Sequence, residues 1–183
     1  MGEDASGIHS EHPFATPVEL REPARRLRGR FASPVTVWTA GGRERPLAGL
    51  TVSSTVVSVG EPSLVLGLIG ETTDLFDAVR STGSFVVHVL SESDATLADR
   101  FAGLRPSPGG MFSGLELEDT PHGPALAAVP ERASCRVVDV VASGFQQLVR
   151  GEIESIELDD LDSPLVYFRG RYRRLAPRAN PRG

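Results

Sequence analysis

The chain contains no lysine. All 19 of its basic residues are arginine, which removes lysine Schiff bases, a P-loop lysine and a lysine general base at once. Cysteine occurs once, at Cys135, so an intrachain disulfide and any multi-cysteine metal site are excluded. It lies in the alternating apolar run CRVVDVV, where a buried, inert thiol is expected. The four histidines, His9, His12, His88 and His122, have no metal-ligand spacing, and no local motif places one beside a nucleophile. Metalloenzyme and hydrolase readings therefore lose their basis. No apolar run approaches the roughly 20 residues that span a bilayer. The opening MGEDASGIHSEHP has neither the basic start nor the apolar core of an export signal, which places the protein in the cytoplasm with no membrane partner.

What is present points to one globular domain. A chain of 183 residues with 40% hydrophobic content buries a sizeable core. The formal charge of -5 and the lack of a concentrated basic stretch argue against nucleic acid as a partner. Two short basic runs, Arg25 to Arg30 and Arg169 to Arg174, read as solvated ends of helices or strands. Arginine in place of lysine, beside abundant Ala, Gly, Pro and Val, fits a GC-rich bacterial genome.

Residues 1–15 are polar and expected to be disordered. TPVE at 16–19 has capping-box form, and PARRLRGRF, opening at Pro23, is expected to be a short helix ending by about Ala32. VTVWTA and LTVSSTVVSV, separated by GGRERP, read as a β-hairpin. SLVLGLIG reads as a strand buried on both sides. TTDLFDAVRSTG is a helix stopped by Gly83, FVVHVL a strand and SDATLADRFAG a second helix. LRPSPGGMFSG is a loop. LELEDT, RASCRVVDVVASG, QQLVRGEIESIEL and LVYFRGRY are strands, separated by turn signals at Gly123-Pro124, Ser143-Gly144 and DDLDSP. The tail 176–183 is expected to fray, leaving 16–175 as the domain. About six or seven strands with two or three short helices favour a closed antiparallel barrel, which hides strand edges.

One stretch stands out. Leu50 to Pro62, LTVSSTVVSVGEP, crowds Thr51, Ser53, Ser54, Thr55 and Ser58 onto extended sequence. An unsatisfied buried hydroxyl costs roughly 1 to 3 kcal/mol, so the cluster either faces water as a wet strand face or meets a polar ligand.

FASPVTVWTA, LTVSSTVVSVGEPSLVLGL, FVVHVL, ADRFAG, CRVVD and PLVYFRGRY follow one another in the order of a known family. From about residue 28 to 173 the chain resembles the flavin reductase-like family of FMN-binding split-barrel proteins. The resemblance implies a mainly β fold with short helices, a six-stranded antiparallel Greek-key split β-barrel, and a homodimer. It also implies an FMN cofactor, with FAD as the alternative, reduced by NAD(P)H and often passed to a partner monooxygenase. By position, the flavin contacts implied are Trp38, Leu50, Thr51, Val52, Ser53, Ser54, Thr72, Thr73, Arg100 and Phe101. Thr72 and Thr73, at a helix start, suit an anion. Glu71 stands where relatives often have a basic residue, and Arg100 is the compensating cation. Gln147, Arg169 and Tyr172 are placed against the nicotinamide nucleotide.

Relatives also carry Gly-Asp-His ahead of a strand ending in Gly-Glu-Val. Here the segment is GFQQLVRGEI, so Phe145 and Gln146 stand where the Asp and His would be. Hydride transfer needs stacking and orientation rather than an acid or base, since the cofactor carries the chemistry. Three readings stay open: an NAD(P)H-dependent flavin reductase with no catalytic side chain, a protein that stores or senses flavin, deazaflavin or haem without nicotinamide turnover, or a barrel without ligand that serves as a dimeric interaction module.

Overall fold

The computed structural model describes residues 23–42 and 45–175. The N-terminal tail, the TPVE capping box and the C-terminal tail from residue 176 lie outside the described residues. The chain is mainly β with few, short helices. In order it forms α1 (Pro23–Arg28), β1 (Ser33–Pro34), β2 (Thr36–Gly42), β3 (Arg45–Val52), β4 (Val56–Ser58), β5 (Leu64–Ile69), α2 (Asp74–Thr82) and β6 (Ser84–Val89). A 3-10 turn (Glu92–Asp94) then leads into α3 (Ala95–Phe101), followed by β7 (Leu117–Thr120), β8 (Gly123–Leu126), β9 (Arg132–Ser143), β10 (Gln146–Glu157), β11 (Val166–Phe168) and β12 (Arg171–Arg173).

Seven strands make the main sheet, in the order β3-β2-β6-β9-β10-β5-β4, with every neighbouring pair antiparallel. Its two ends, β3 and β4, are consecutive in the chain. The segment expected as one strand, LTVSSTVVSV, is thus broken at Ser53–Thr55. Its first half pairs with β2 and its second with β5. The hydroxyls explain the break. Ser54 Oγ accepts from the Leu68 N–H at 2.9 Å and donates to the Leu68 carbonyl at 3.2 Å, so a side chain takes the place of a ladder partner where the chain turns away from β2. Thr55 shares a 2.7 Å hydrogen bond with the buried Thr36 and accepts from the Trp38 indole at 3.1 Å.

β2 is buried along nearly its whole length and separates two cores. One face contributes Trp38 and Ala40 to a cluster with Val65, Ile69, Phe85 and Val149, closed by Leu75, Phe76 and Val79 of α2. The other contributes Val37 to a cluster with Leu90, Phe101, Leu126 and Leu165. Trp38 stacks on Phe85 with centroids 4.6 Å apart and planes 5° apart. Two glycines make room for the pair: a Cβ at Gly67 would lie 2.6 Å from the Trp38 ring, and one at Gly151 would collide with Phe85. SLVLGLIG, expected to be buried on both sides, instead alternates half-buried and buried residues as β5, because only one of its faces meets the core.

α2 follows its sequence signals. Thr73 caps it, accepting from the Phe76 N–H at 3.3 Å, and Gly83 ends it at a left-handed φ of 71°. The Pro- and Gly-rich loop after α3 is anchored rather than loose. Arg100 Nη2 donates to the carbonyls of Gly110 (3.2 Å) and Ser113 (2.5 Å), and Phe112 meets Phe101 edge-on at 5.2 Å. LVYFRGRY, expected as one strand, is the β11–β12 hairpin, with Arg169 and Gly170 as its loop at φ of 50° and 79°. Gly123-Pro124, expected as a turn, opens β8, which pairs with β7.

Candidate functional site

A cleft of about 860 Å3 opens among α1, the end of β3 and the tips of two hairpins. β3 contributes Thr51 and Ser53. The residues after α1 contribute Phe31, the β9–β10 hairpin Phe145 and Gln146, and the β11–β12 hairpin Tyr167, Arg169 and Tyr172. Arg25 and Arg28 line it from α1, and no carboxylate does so among the described residues. The size falls within the range of small-molecule sites, roughly 300 to 1,000 Å3.

Each wall is held by identifiable bonds. Thr51 pairs with Val37 across β2–β3 and donates its hydroxyl proton to the Ala98 carbonyl at 2.6 Å, which leaves the oxygen free only to accept. Ser53 accepts from Arg28 Nη2 at 3.3 Å. Tyr172 donates to Asp99 at 2.9 Å, and burial together with that carboxylate pushes its phenol pKa up, so it stays protonated. The Arg169 N–H donates to the Gly29 carbonyl at 3.3 Å, joining the β11–β12 loop to the end of α1. The Arg169 guanidinium sits 5.4 Å from the Phe168 ring centroid. Phe145 is 89% exposed at its hairpin tip.

Of the residues expected at the site, the structure brings Thr51, Ser53, Arg169 and Tyr172 together. Leu50 is half-buried against the main core, Val52 is buried within it, and Ser54 is bonded to Leu68. Trp38 and Phe101 are fully buried in the two cores, away from the cleft. Arg100 is engaged by loop carbonyls, with its Nε buried and without a partner. Near the start of α2, Gly70 lines the cleft, whereas Thr72 and Thr73 do not. The Thr73 hydroxyl is consumed by its cap and by the Gly70 carbonyl at 2.8 Å. Gln147 points to Glu71, with Nε2 at 3.5 Å from its carboxylate, and it is the adjacent Gln146 that lines the cleft.

Sequence reading gave no cleft role to Arg25, Arg28, Phe31, Tyr167, or to Phe145 and Gln146, which stand at the family's Asp-His position. The two basic runs that read as solvated ends meet here, although one opens the described chain and the other nearly closes it. Local spacing carries no signal for that convergence. Among the described residues no group of acidic, His and Cys side chains is arranged to hold a metal, and no helix is long and apolar enough to cross a membrane.

Comparison with known proteins agrees on one family. A family model described as a flavin reductase like domain matches residues 28–176. The chain is 34% identical over 158 residues to the reductase component of 4-hydroxyphenylacetate 3-monooxygenase of Thermus thermophilus, covering 85% of this chain and 97% of that protein. It is 31% identical over 157 residues to the reductase component of the 4-nitrophenol 4-monooxygenase/4-nitrocatechol 2-monooxygenase of Rhodococcus opacus, covering 85% and 82%. A flavin reductase solved in its native state superimposes with a TM-score of 0.75 at 29% identity, covering 84% of this chain and 96% of that one.

Proposed function

Because this chain belongs to the flavin reductase like family, we propose that it is an NAD(P)H-dependent flavin reductase that takes FMN or FAD and supplies reduced flavin to a partner monooxygenase. The observation that carries the reading is the cleft itself: family-positioned hydroxyl residues of the β3 end, three arginines and exposed aromatic residues line one cavity of about 860 Å3. These residues fit a flavin. Flat aromatic walls suit a planar ring, hydroxyl and amide groups suit its polar edge, and arginines suit phosphate.

A bound flavin supplies the ring that accepts a hydride, and the protein's part is binding and orientation. Thr51 and Ser53 present hydroxyl oxygens at the end of β3. Gln146 offers an amide and Phe145 a ring at the tip where relatives have an acid and a histidine. No lining side chain is needed to give or take a proton during hydride transfer.

The finer architecture belongs to the same proposal. Counted as one bent strand, β3 and β4 make the main sheet a six-stranded Greek-key split barrel, with Ser54 near its seam. The homodimer implied by the resemblance is supported by exposed apolar residues, Val56 and Val57 of β4, Val138 and Val141 of β9 and Ile156 of β10, part of which a second copy would cover.

Purified protein mixed with FMN or FAD is expected to consume NADH or NADPH in steady state. Flavin binding without turnover on either nucleotide would favour the storage or sensing reading, which the missing Asp-His pair of the hairpin motivates.

A further inference from the structure

The two short basic runs of this acidic protein converge on one cleft. Arg28 and Arg25 reach it from α1 and Arg169 from the β11–β12 loop. Five other arginines, Arg105, Arg132, Arg136, Arg150 and Arg174, are paired with carboxylates. Among the described residues Arg28 and Arg169 have no carboxylate partner, a state they share with Arg26, Arg30, Arg80, Arg100, Arg171 and Arg173, but of these only Arg28 and Arg169 line the cleft. Arg28 touches the Ser53 hydroxyl, and the Arg169 side chain touches only the Phe168 ring.

The backbone at Arg169 adds an independent observation. It is the only described non-glycine residue with positive φ, at 50°, and with Gly170 at 79° it forms the two-residue loop of a hairpin. Two successive positive φ values are the demand of a loop that favours Asn-Gly or Gly-Gly. A long side chain there costs free energy that asparagine or glycine would not. The fold tolerates that cost at a loop position that lines the cleft.

Resting on the functional reading above, we propose that Arg28 and Arg169, with Arg25 beside them, clamp the pyrophosphate of an adenine dinucleotide. Each planar guanidinium pairs with one phosphate through two N–H bonds, so two such groups from two elements match a two-phosphate bridge better than a single phosphate. Phe31, close to Arg28 in sequence, and Tyr167, close to Arg169, supply flat surfaces for the adenine, and Phe145 faces the cleft from the other hairpin. The dinucleotide is either FAD or the nicotinamide nucleotide, and the same pyrophosphate chemistry serves both.

The test compares the wild type with Arg169→Asn and Arg28→Gln. Dissociation constants for FMN and FAD are read by flavin fluorescence, KM for NADH with riboflavin as acceptor, and competition by ADP. If FAD is the occupant, wild type binds FAD about tenfold or more tighter than FMN, and both variants erase the difference. If the nicotinamide nucleotide is the occupant, FMN and FAD bind alike, and both variants raise KM for NADH about tenfold, with a smaller effect on kcat. In either case ADP competes about tenfold more weakly in the variants than in the wild type. Arg169→Asn is expected to melt at or above the wild-type temperature, because asparagine suits the loop. The proposal is overturned if FMN affinity falls as much as FAD affinity, since that marks a monophosphate site, or if neither variant alters any of these constants. A lower melting temperature for Arg169→Asn also overturns it, by showing the arginine to serve the fold. Wild-type protein that neither binds flavin nor oxidises NADH removes the functional reading, and this inference with it. A wild type that does both, with unaffected variants, removes the inference alone.

Discussion

His88 is fully buried on β6 with both ring nitrogens engaged. Nδ1 faces the Val37 carbonyl at 3.1 Å and Nε2 accepts from the Leu126 N–H at 2.9 Å, which assigns the proton to Nδ1. Burial holds its pKa down at about 4, with nearby Arg132 lowering it further and the Val37 bond and Glu118 acting the other way. Since the folded value lies below the unfolded one, the unfolded state binds the extra proton. The stability from this site is complete above about pH 6.5 and lost as pH falls toward 4. The linkage predicts a loss of about 2 kcal/mol between pH 7.5 and pH 5 in urea titrations. His88→Gln should be less stable at pH 7.5 yet show a smaller loss over the same interval; an equal loss would place the titration elsewhere. A second residue-scale expectation concerns the cleft. Its lining contains no histidine or carboxylate among the described residues, and Tyr172 is held protonated. The hydride-transfer rate should therefore be flat from about pH 7 to pH 9, and a bell-shaped profile in stopped-flow reduction would contradict that. At this scale the crowded hydroxyls of Thr51 and Ser53 left a wet strand face and a polar ligand both open, and their place at the cleft was legible only through the family resemblance. Arg28 and Phe145 were not legible, because an arginine on a short helix and an aromatic at a hairpin tip look the same whether or not a cleft faces them.

At the scale of elements, the close approach of β5 and β10 to the Trp38–Phe85 stack decides how the main core packs. Gly67 and Gly151 leave no space for a methyl group beside those rings. Gly67→Ala and Gly151→Ala are each expected to lower stability by roughly 1 to 3 kcal/mol through overpacking, measured by thermal or urea unfolding. A neutral outcome at both would mean that the aromatic pair shifts freely. Helix α2 was legible to its ends, since Thr73 and Gly83 are cap residues with a mechanism. The β2–β3 hairpin and the long β9–β10 pair were legible from alternation and turn residues. The break at Ser53–Thr55 was not, because β-branched and hydroxyl residues continue through it, and only the Ser54–Leu68 bonds mark the turn. The β11–β12 hairpin was missed for the converse reason: Arg-Gly is a poor sequence for its loop, so the strand pattern reads through it. Arg100, expected at a phosphate, instead binds two carbonyls of the following loop, a use that no local pattern distinguishes from ligand binding.

For the whole molecule, charge and surface point the same way. A chain of net charge -5 gathers Arg25, Arg28 and Arg169 at one opening, so anionic ligands are drawn to the cleft. Association with flavin or nucleotide should consequently slow as salt rises. The apolar residues Val56 and Val57 of β4, Val138 and Val141 of β9 and Ile156 of β10 are each about half exposed in a single copy. Sedimentation equilibrium is expected to return about twice the 19.5 kDa chain mass, and charged substitutions at Val57 and Val141 together should yield monomer; a wild-type monomer at micromolar concentration would contradict the dimer.

Under the proposed function this cleft holds a flavin where a nicotinamide nucleotide reduces it, without help from the acid and histidine that its hairpin lacks. The most direct measurement is anaerobic mixing of flavin-loaded protein with NADH and, separately, NADPH, followed through the oxidised-flavin absorbance. At least one nucleotide is expected to bleach the flavin much faster than it bleaches free flavin at the same concentration. Flavin that binds but stays oxidised with both nucleotides would contradict that function.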